Sequence, residues 1–376
     1  MRGLAALSVT LTHFIAAFLP WMLYYNYGPL FPNTEQTSLL RWIVSSPFLT
    51  VLYNGHFPVL IFFVLSGYVL TMPYFESQNS YLLLKRRLIG RYLRLNLPIM
   101  AAIALAWLLY KIGLMNTELA AQTSGSINWL ASFYPANMNA TDAVREAVFD
   151  SILFGNSKFI PPLWTLRVEF IGSIYILLFY IFKPAQHTWI PIIVVSFFLH
   201  LAHADQSIYY LAIFAGSKLH RVRLTYRSQV VCFTAGVYLG AYQHFRSMYG
   251  FLPGPELWDT KTFYNTIGAI AVCAAILSGF AQRLLGLPIV QFFGKISFSI
   301  YLLHFLVLCS LSTAFYTNFP QSPFYIAAGL FLYLVVCVLT AWFFERWIDS
   351  SAVSLSRRFS GYVCGTSQCN ANAVSK

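Results

Sequence analysis

Charge is what this chain has least of. Only 10% of its residues are Asp, Glu, Lys or Arg, against the ~25% usual in soluble domains, and that scarcity excludes a water-exposed globule. Acid is the scarcer sign, with 12 Asp and Glu against 24 Lys and Arg. A basic excess can mark a nucleic-acid binder, but here the cations flank apolar runs, and orientation in a bilayer is the simpler cause. Nucleic acid is therefore not an expected partner. Of the six cysteines, Cys232, Cys273, Cys309 and Cys337 lie inside apolar runs, and Cys364 and Cys369 lie near the polar C-terminus. That spacing provides neither a disulfide framework nor a metal-ligand set, so no metal site is expected. There is no internal repeat, no low-complexity tract and no stretch polar enough for a separate soluble domain. The first apolar run is too long, and too rich in polar landmarks, for a cleaved signal peptide.

What the chain has in abundance is apolar surface: 58% hydrophobic and 18% aromatic residues, with a mean hydropathy of +0.63. The expected fold is all-α, a polytopic transmembrane helical bundle of about ten spans. Apolar runs place the spans at 4–25, 57–75, 97–115, 163–182, 188–203, 206–218, 229–245, 262–282, 293–316 and 324–344. Cations concentrate in 76–96, in 218–227 and after 344, whereas the acids Glu35, Glu118, Asp142, Glu146, Asp150, Glu256 and Asp259 fall in the alternate loops. The positive-inside bias then puts both termini in the cytosol. One membrane domain covers 1–348, with an exofacial loop at 116–162, and a polar tail without helical or strand periodicity covers 349–376. The exofacial loop holds a sequon, Asn139-Ala-Thr141, and a predicted short helix from Thr141 to Phe154 capped by Thr141 or Asp142.

Polar residues inside apolar runs are the candidates for function, because burying an ionisable group in hydrocarbon is costly. Arg2 and His13 begin and punctuate the first span. At about 1.5 Å per residue His13 lies roughly 16 Å beyond Arg2, near the middle of a ~30 Å core. His304 sits at a similar depth in the ninth span, so the two histidines are expected to share a cavity. Arg167 and Glu169, two apart on the fourth span, are expected to face different partners. Ser66-Gly67 alone reads as a helix-packing site. Arg87, Arg91 and Arg94 recur at i, i+4 and i+7, lining one helix face where they set topology and meet anionic headgroups.

In order, these pieces resemble acyltransferase family 3, integral membrane proteins that move an acyl group from a coenzyme A thioester to a hydroxyl-bearing acceptor. The resemblance is carried by the Arg2/His13 pair, Phe62-Phe-Val-Leu-Ser-Gly67, the basic segment from Arg86 to Arg94 ending at Pro98, Leu163-Trp-Thr-Leu-Arg-Val-Glu169 and Ser299-Ile-Tyr-Leu-Leu-His304. Members usually open the first span with Leu-Asp-Gly-Leu-Arg-Gly after a cytosolic lead, whereas this chain opens Met1-Arg2-Gly3; a natural short form and a start lying upstream are both open. The resemblance implies His13 as general base, with Glu169 and His304 orienting it or the acceptor. It implies that Arg2, Arg86, Arg87, Arg91 and Arg94 hold the anionic parts of an acyl-CoA co-substrate, an acetyl donor by default, and that no cofactor is permanently bound. Ser66 and Gly67 would let the acyl chain or the first helix come close, and Trp164 would line or pack the substrate site. The acceptor would be a carbohydrate, lipid or small metabolite, and the host membrane the plasma membrane or an endomembrane. The rival readings are a proton-coupled secondary transporter, which also needs buried titratable groups, and a membrane protein whose polar residues only fix helix register.

Overall fold

The computed structural model describes residues 1–31, 43–182, 206–244 and 247–365, and all regular structure among them is helical. The principal helices are α1 (Arg2–Phe18), α2 (His56–Glu76), α3 (Ser80–Lys111), α4 (Trp164–Ile181), α5 (Ser207–Lys218), α6 (Tyr226–Gly240), α7 (Thr260–Leu277), α8 (Pro288–Val307), α9 (Pro323–Phe344) and α10 (Ser350–Val363). Among the described residues six helical stretches are long and apolar enough to cross a membrane: α2, α3, α4 with its preceding Pro161 turn, α7, α8 with its continuation to Asn318, and α9 running into α10. A seventh arises if α1 and the bent segment after it count as one span.

That bend revises the first expected span. Helix α1 stops at Phe18, Pro20 opens a new short helical stretch, and the chain turns by 120°. Proline fits the first turn of a new helix but cannot donate the hydrogen bond that would have continued the old one. The expected spans at 206–218 and 229–245 appear as α5 and α6, of 12 and 15 residues, shorter than the ~20 residues that cross a bilayer core upright. The span at 188–203 lies outside the described residues.

The supposed tail also differs from expectation, because Ser350–Val363 is a helix continuous with α9 through a π turn at Glu345–Asp349. Its buried face is Ala352, Ser356 and Ser360, one residue per turn, which lets α10 lie close along α3. Ser356 Oγ donates to the Gly90 carbonyl at 2.7 Å, and a Cβ on Gly90 would run into Ser356. A stripe of small polar residues has no apolar period, so hydropathy alone misses it. In the connecting segment the short helix begins at Ala140, one residue earlier than expected, because Asn139 Oδ1 accepts from the Asp142 N–H at 2.8 Å and so makes Asn139 the cap.

Helix α1 packs on both α8 and α2, and α5 packs on α2. The α2–α5 crossing is backbone against backbone: a Cβ on Gly67 would overlap the Ile213 carbonyl, and one on Gly216 would overlap the Val64 carbonyl. Gly67 therefore serves the contact with α5, not with the first helix. The approach of α1 to α8 is similarly close, since Gly3 abuts the backbone at Phe293 and Gly294.

Candidate active site

The close packing of α1 on α8 brings two imidazoles together. His13 Nδ1 and His304 Nε2 are 2.8 Å apart, and the rings lie within 9° of one plane, the geometry of an in-plane N–H···N bond. The direction of that bond follows from the third partner. His304 Nδ1 lies 3.0 Å from the Ile300 carbonyl, and a carbonyl can only accept, so Nδ1 carries the proton. With both rings neutral, His304 Nε2 is then the acceptor, His13 Nδ1 is the donor, and His13 Nε2 keeps an unprotonated lone pair. His304 is fully buried, whereas His13 is only partly so and lines a cavity of about 280 Å³. Trp129 stacks on His13 at 5.7 Å, and Phe305 meets it edge-on at 5.6 Å. Trp129 comes from the long connecting segment, tied to α1 where the buried Ser126 Oγ donates to the Ala16 carbonyl at 2.7 Å.

Toward the N-terminal end of α1 lies a second cavity, of about 150 Å³, whose wall includes Arg2, Arg91, Arg94, Glu169 and Ser66. Its centre is a largely buried ion pair, Arg91 Nη2 to Glu169 Oε1 at 2.8 Å. Arg91 Nε donates to Ser173 Oγ at 2.9 Å, and Ser66 Oγ donates to Glu169 Oε1 at 3.2 Å. Removing one partner of such a pair leaves an uncompensated buried charge, at a cost of about 3–5 kcal/mol. Arg94 pairs with Asp349 at 2.5 Å and also faces the Phe298 ring. Arg2 is exposed and has no hydrogen-bond or ion-pair partner among the described residues.

The two cavities share the walls Val59, Thr165 and Tyr301. Tyr301 Oη and Thr165 Oγ1 are 2.6 Å apart, and Tyr301 donates to the Pro162 carbonyl at 2.7 Å, which fixes this divider. Beyond the His13 cavity lies a third, of about 440 Å³, which shares Tyr27 and His56 with it. Three cavities thus follow one another from the Arg2 end of the bundle to the end where α7 begins.

Set against the sequence, His13 and His304 do meet, and Trp164 lines the same cavity as His13. Glu169 faces Arg91 and Ser66 in the neighbouring cavity, so of the two residues expected to orient His13 or the acceptor, His304 touches His13 and Glu169 does not. Arg167 and Glu169 do turn apart, Arg167 donating to Gln206 at 3.1 Å. Of the basic run, Arg91 and Arg94 reach the cavity beside Arg2. Arg87 instead donates to the carbonyls of Val69 and Leu70. The Val69 carbonyl would have accepted from residue 73, but residue 73 is proline inside α2, so Arg87 satisfies an acceptor that the helix itself cannot. Arg86 on the same helix is partly buried and stands outside the cavity wall. The sequence did not single out Trp129, His56, Tyr301 as a divider, or Lys261. Only Tyr301 had a visible signal, one helical turn before His304 on the same face.

No curated protein and no solved structure matches this chain. A family model described as an acyltransferase domain matches residues 1–342, a span that takes in all three cavities and every residue of the histidine pair and the Arg91–Glu169 pair. With its several membrane-length apolar helices, the chain is a multi-pass membrane protein that belongs to acyltransferase family 3.

Proposed function

We propose that the protein transfers an acyl group, acetyl in the simplest case, from a cytosolic acyl-CoA to a hydroxyl of a carbohydrate, lipid or small-metabolite acceptor, with His13 as the general base. The observation that carries this reading is the hydrogen-bonded chain from the Ile300 carbonyl through His304 to His13, which leaves the Nε2 lone pair of a cavity-lining imidazole free. His13 Nε2 takes the acceptor's hydroxyl proton as that oxygen attacks the thioester carbonyl. The tetrahedral intermediate collapses with loss of the coenzyme thiolate, and the His13 imidazolium returns the proton to the sulfur. While His13 is cationic, its Nδ1–H still donates to His304 Nε2, so the positive charge develops against a fixed acceptor. His304 is thus a positioning residue, and no covalent acyl-enzyme is required.

The donor enters from the Arg2 end. Arg2 and Arg94 supply guanidinium groups for the anionic part of the coenzyme at the mouth, while Arg91 is held by Glu169 as part of the wall. Collection of Arg2, Arg91 and Arg94 at one end of the bundle supports the cytosolic assignment of that end, and with it cytosolic termini. The acceptor reaches His13 from the opposite end through the cavity bounded by Tyr27 and His56. A series of cavities would also suit a proton-coupled transporter, but membership in an acyltransferase family favours transfer. The test is purified full-length protein incubated with radiolabelled acetyl-CoA. Acceptor-dependent release of free thiol is expected from the wild type and none above background from His13→Ala, with expression and membrane insertion unchanged. An unchanged rate in His13→Ala rejects the assignment, and vesicle accumulation of solute without thiol release would favour the transporter.

A further inference from the structure

The cavity farthest from Arg2 contains a buried lysine that the transfer chemistry does not use. Lys261, in the first turn of α7, is only 4% exposed. Its Nζ is 3.4 Å from Asn26 Oδ1 and 3.3 Å from the Tyr242 carbonyl, and it stands 4.7 Å from the centre of the Tyr27 ring. These contacts are all neutral, and Lys261 has no ion-pair partner among the described residues. Asp259 is near enough to act on it electrostatically, but its oxygens are engaged elsewhere: Oδ2 accepts from the Thr262 N–H and hydroxyl, each at 2.8 Å, and Oδ1 lies 3.4 Å from His244 Nε2. Burial pushes the Asp259 carboxyl up, but the two Thr262 bonds together with the nearby His244 and His56 hold it below the ordinary range, so it stays ionised. Asn26 is 1% exposed, and its Nδ2 has no hydrogen-bond partner among the described residues. A buried lysine amine without an ion-pair partner and a buried amide donor without an acceptor among the described residues are both costly, and here both belong to the wall of one cavity.

We infer that this cavity recognises the acceptor, and that the acceptor it takes carries a carboxylate beside the hydroxyl to be acylated, with Lys261 and Asn26 as the groups that bind that carboxylate. The inference rests on the transferase reading for its purpose, since Tyr27 and His56 are shared with the His13 cavity and place the bound molecule next to the base. A carboxylate fits better than a phosphate for reasons of charge. Lys261 brings at most one positive charge, and the ionised Asp259 on the same wall repels a dianion more strongly than a monoanion. A carboxylate oxygen accepting from an ammonium and an amide N–H also satisfies both orphaned donors at once.

The experiment measures binding without any acyl-CoA, so its failure and a failure of transfer are separate results. Full-length protein in nanodiscs is titrated with D-glucuronate, D-glucose and D-glucose 6-phosphate, read by tryptophan fluorescence, Trp129 and Trp164 lining the adjoining cavity. Glucuronate is expected to bind saturably and at least about tenfold tighter than glucose, the ratio that one charge-assisted hydrogen bond supplies. Lys261→Met is expected to erase that ratio, Lys261→Arg to retain most of it, and Asn26→Ala to reduce it. Should Lys261→Met not fold, the Arg and Asn26→Ala variants decide. Equal binding of glucuronate and glucose, no saturable glucuronate binding, tighter binding of the sugar phosphate, or a ratio unchanged by these substitutions would each overturn the inference.

Discussion

Replacing His304 isolates the step that distinguishes this site from a lone histidine in a helix bundle. In His304→Ala, His13 Nδ1 loses its acceptor, and the proton is free to move to Nε2, where it blocks the proposed base. The lost bond is worth about 0.5–1.5 kcal/mol net, and a buried donor left unpaired adds about 1–3 kcal/mol. At about 1.4 kcal/mol per factor of ten, kcat should fall on the order of 10- to 1,000-fold. The cavity proposed to hold the donor is not altered, so KM for acyl-CoA should stay within about twofold. His304→Phe fills the buried volume without restoring an acceptor and should be nearly as slow as the alanine variant while being more stable. His304→Gln offers a side-chain carbonyl to His13 Nδ1 and should recover much of the rate. The assay is thiol release at saturating acyl-CoA, run beside thermal unfolding of each variant. Wild-type kcat in His304→Phe, or a loss appearing only in KM, would refute the tautomer argument.

The backbone contact between α2 and α5 predicts that Gly67→Ala destabilises by about 1–3 kcal/mol, as overpacking does, whereas Gly294→Ala, inside α8 with nothing within 4 Å of the added carbon, should raise the thermal midpoint slightly, through the about 0.4–1 kcal/mol that alanine gains over glycine in a helix. Arg94→Ala should raise KM for acyl-CoA with little change in kcat, and Arg87→Ala should lower the unfolding temperature without altering KM, because Arg87 serves two α2 carbonyls. Glu146, in the segment between α3 and α4, accepts from the Phe159 N–H at 3.2 Å, and burial raises its carboxyl from the ordinary 4.5 to about 7. Between those pH values the folded state holds a proton that the unfolded state has lost, so stability falls as pH rises from 4.5 to 7 and then levels off. The drop is on the order of 3 kcal/mol at about 1.4 kcal/mol per pH unit. Glu146→Gln should abolish it, as unfolding measured at pH 5 and pH 8 will tell.

By itself, the sequence determined the class of the protein and the chemistry available to it. Scarce charge and long apolar runs dictate membrane helices because backbone and side chains must both be satisfied in hydrocarbon. The order of Arg2, His13, Ser66-Gly67, Glu169 and His304 marked the family, and costly buried ionisable groups pointed to His13 and His304. Only the tertiary structure decided which groups share a partner. That Glu169 belongs to Arg91, that Arg87 repairs a gap made by Pro73, and that Gly67 faces α5 depend on which helices cross and on which faces, which no single-helix period encodes. The direction of the His304–His13 bond likewise follows from a carbonyl four residues back and a contact across 291 positions. Trp129 and Lys261 reach the cavities from a connecting segment and a helix end, where hydropathy carries no signal, so only the folded chain could place them there.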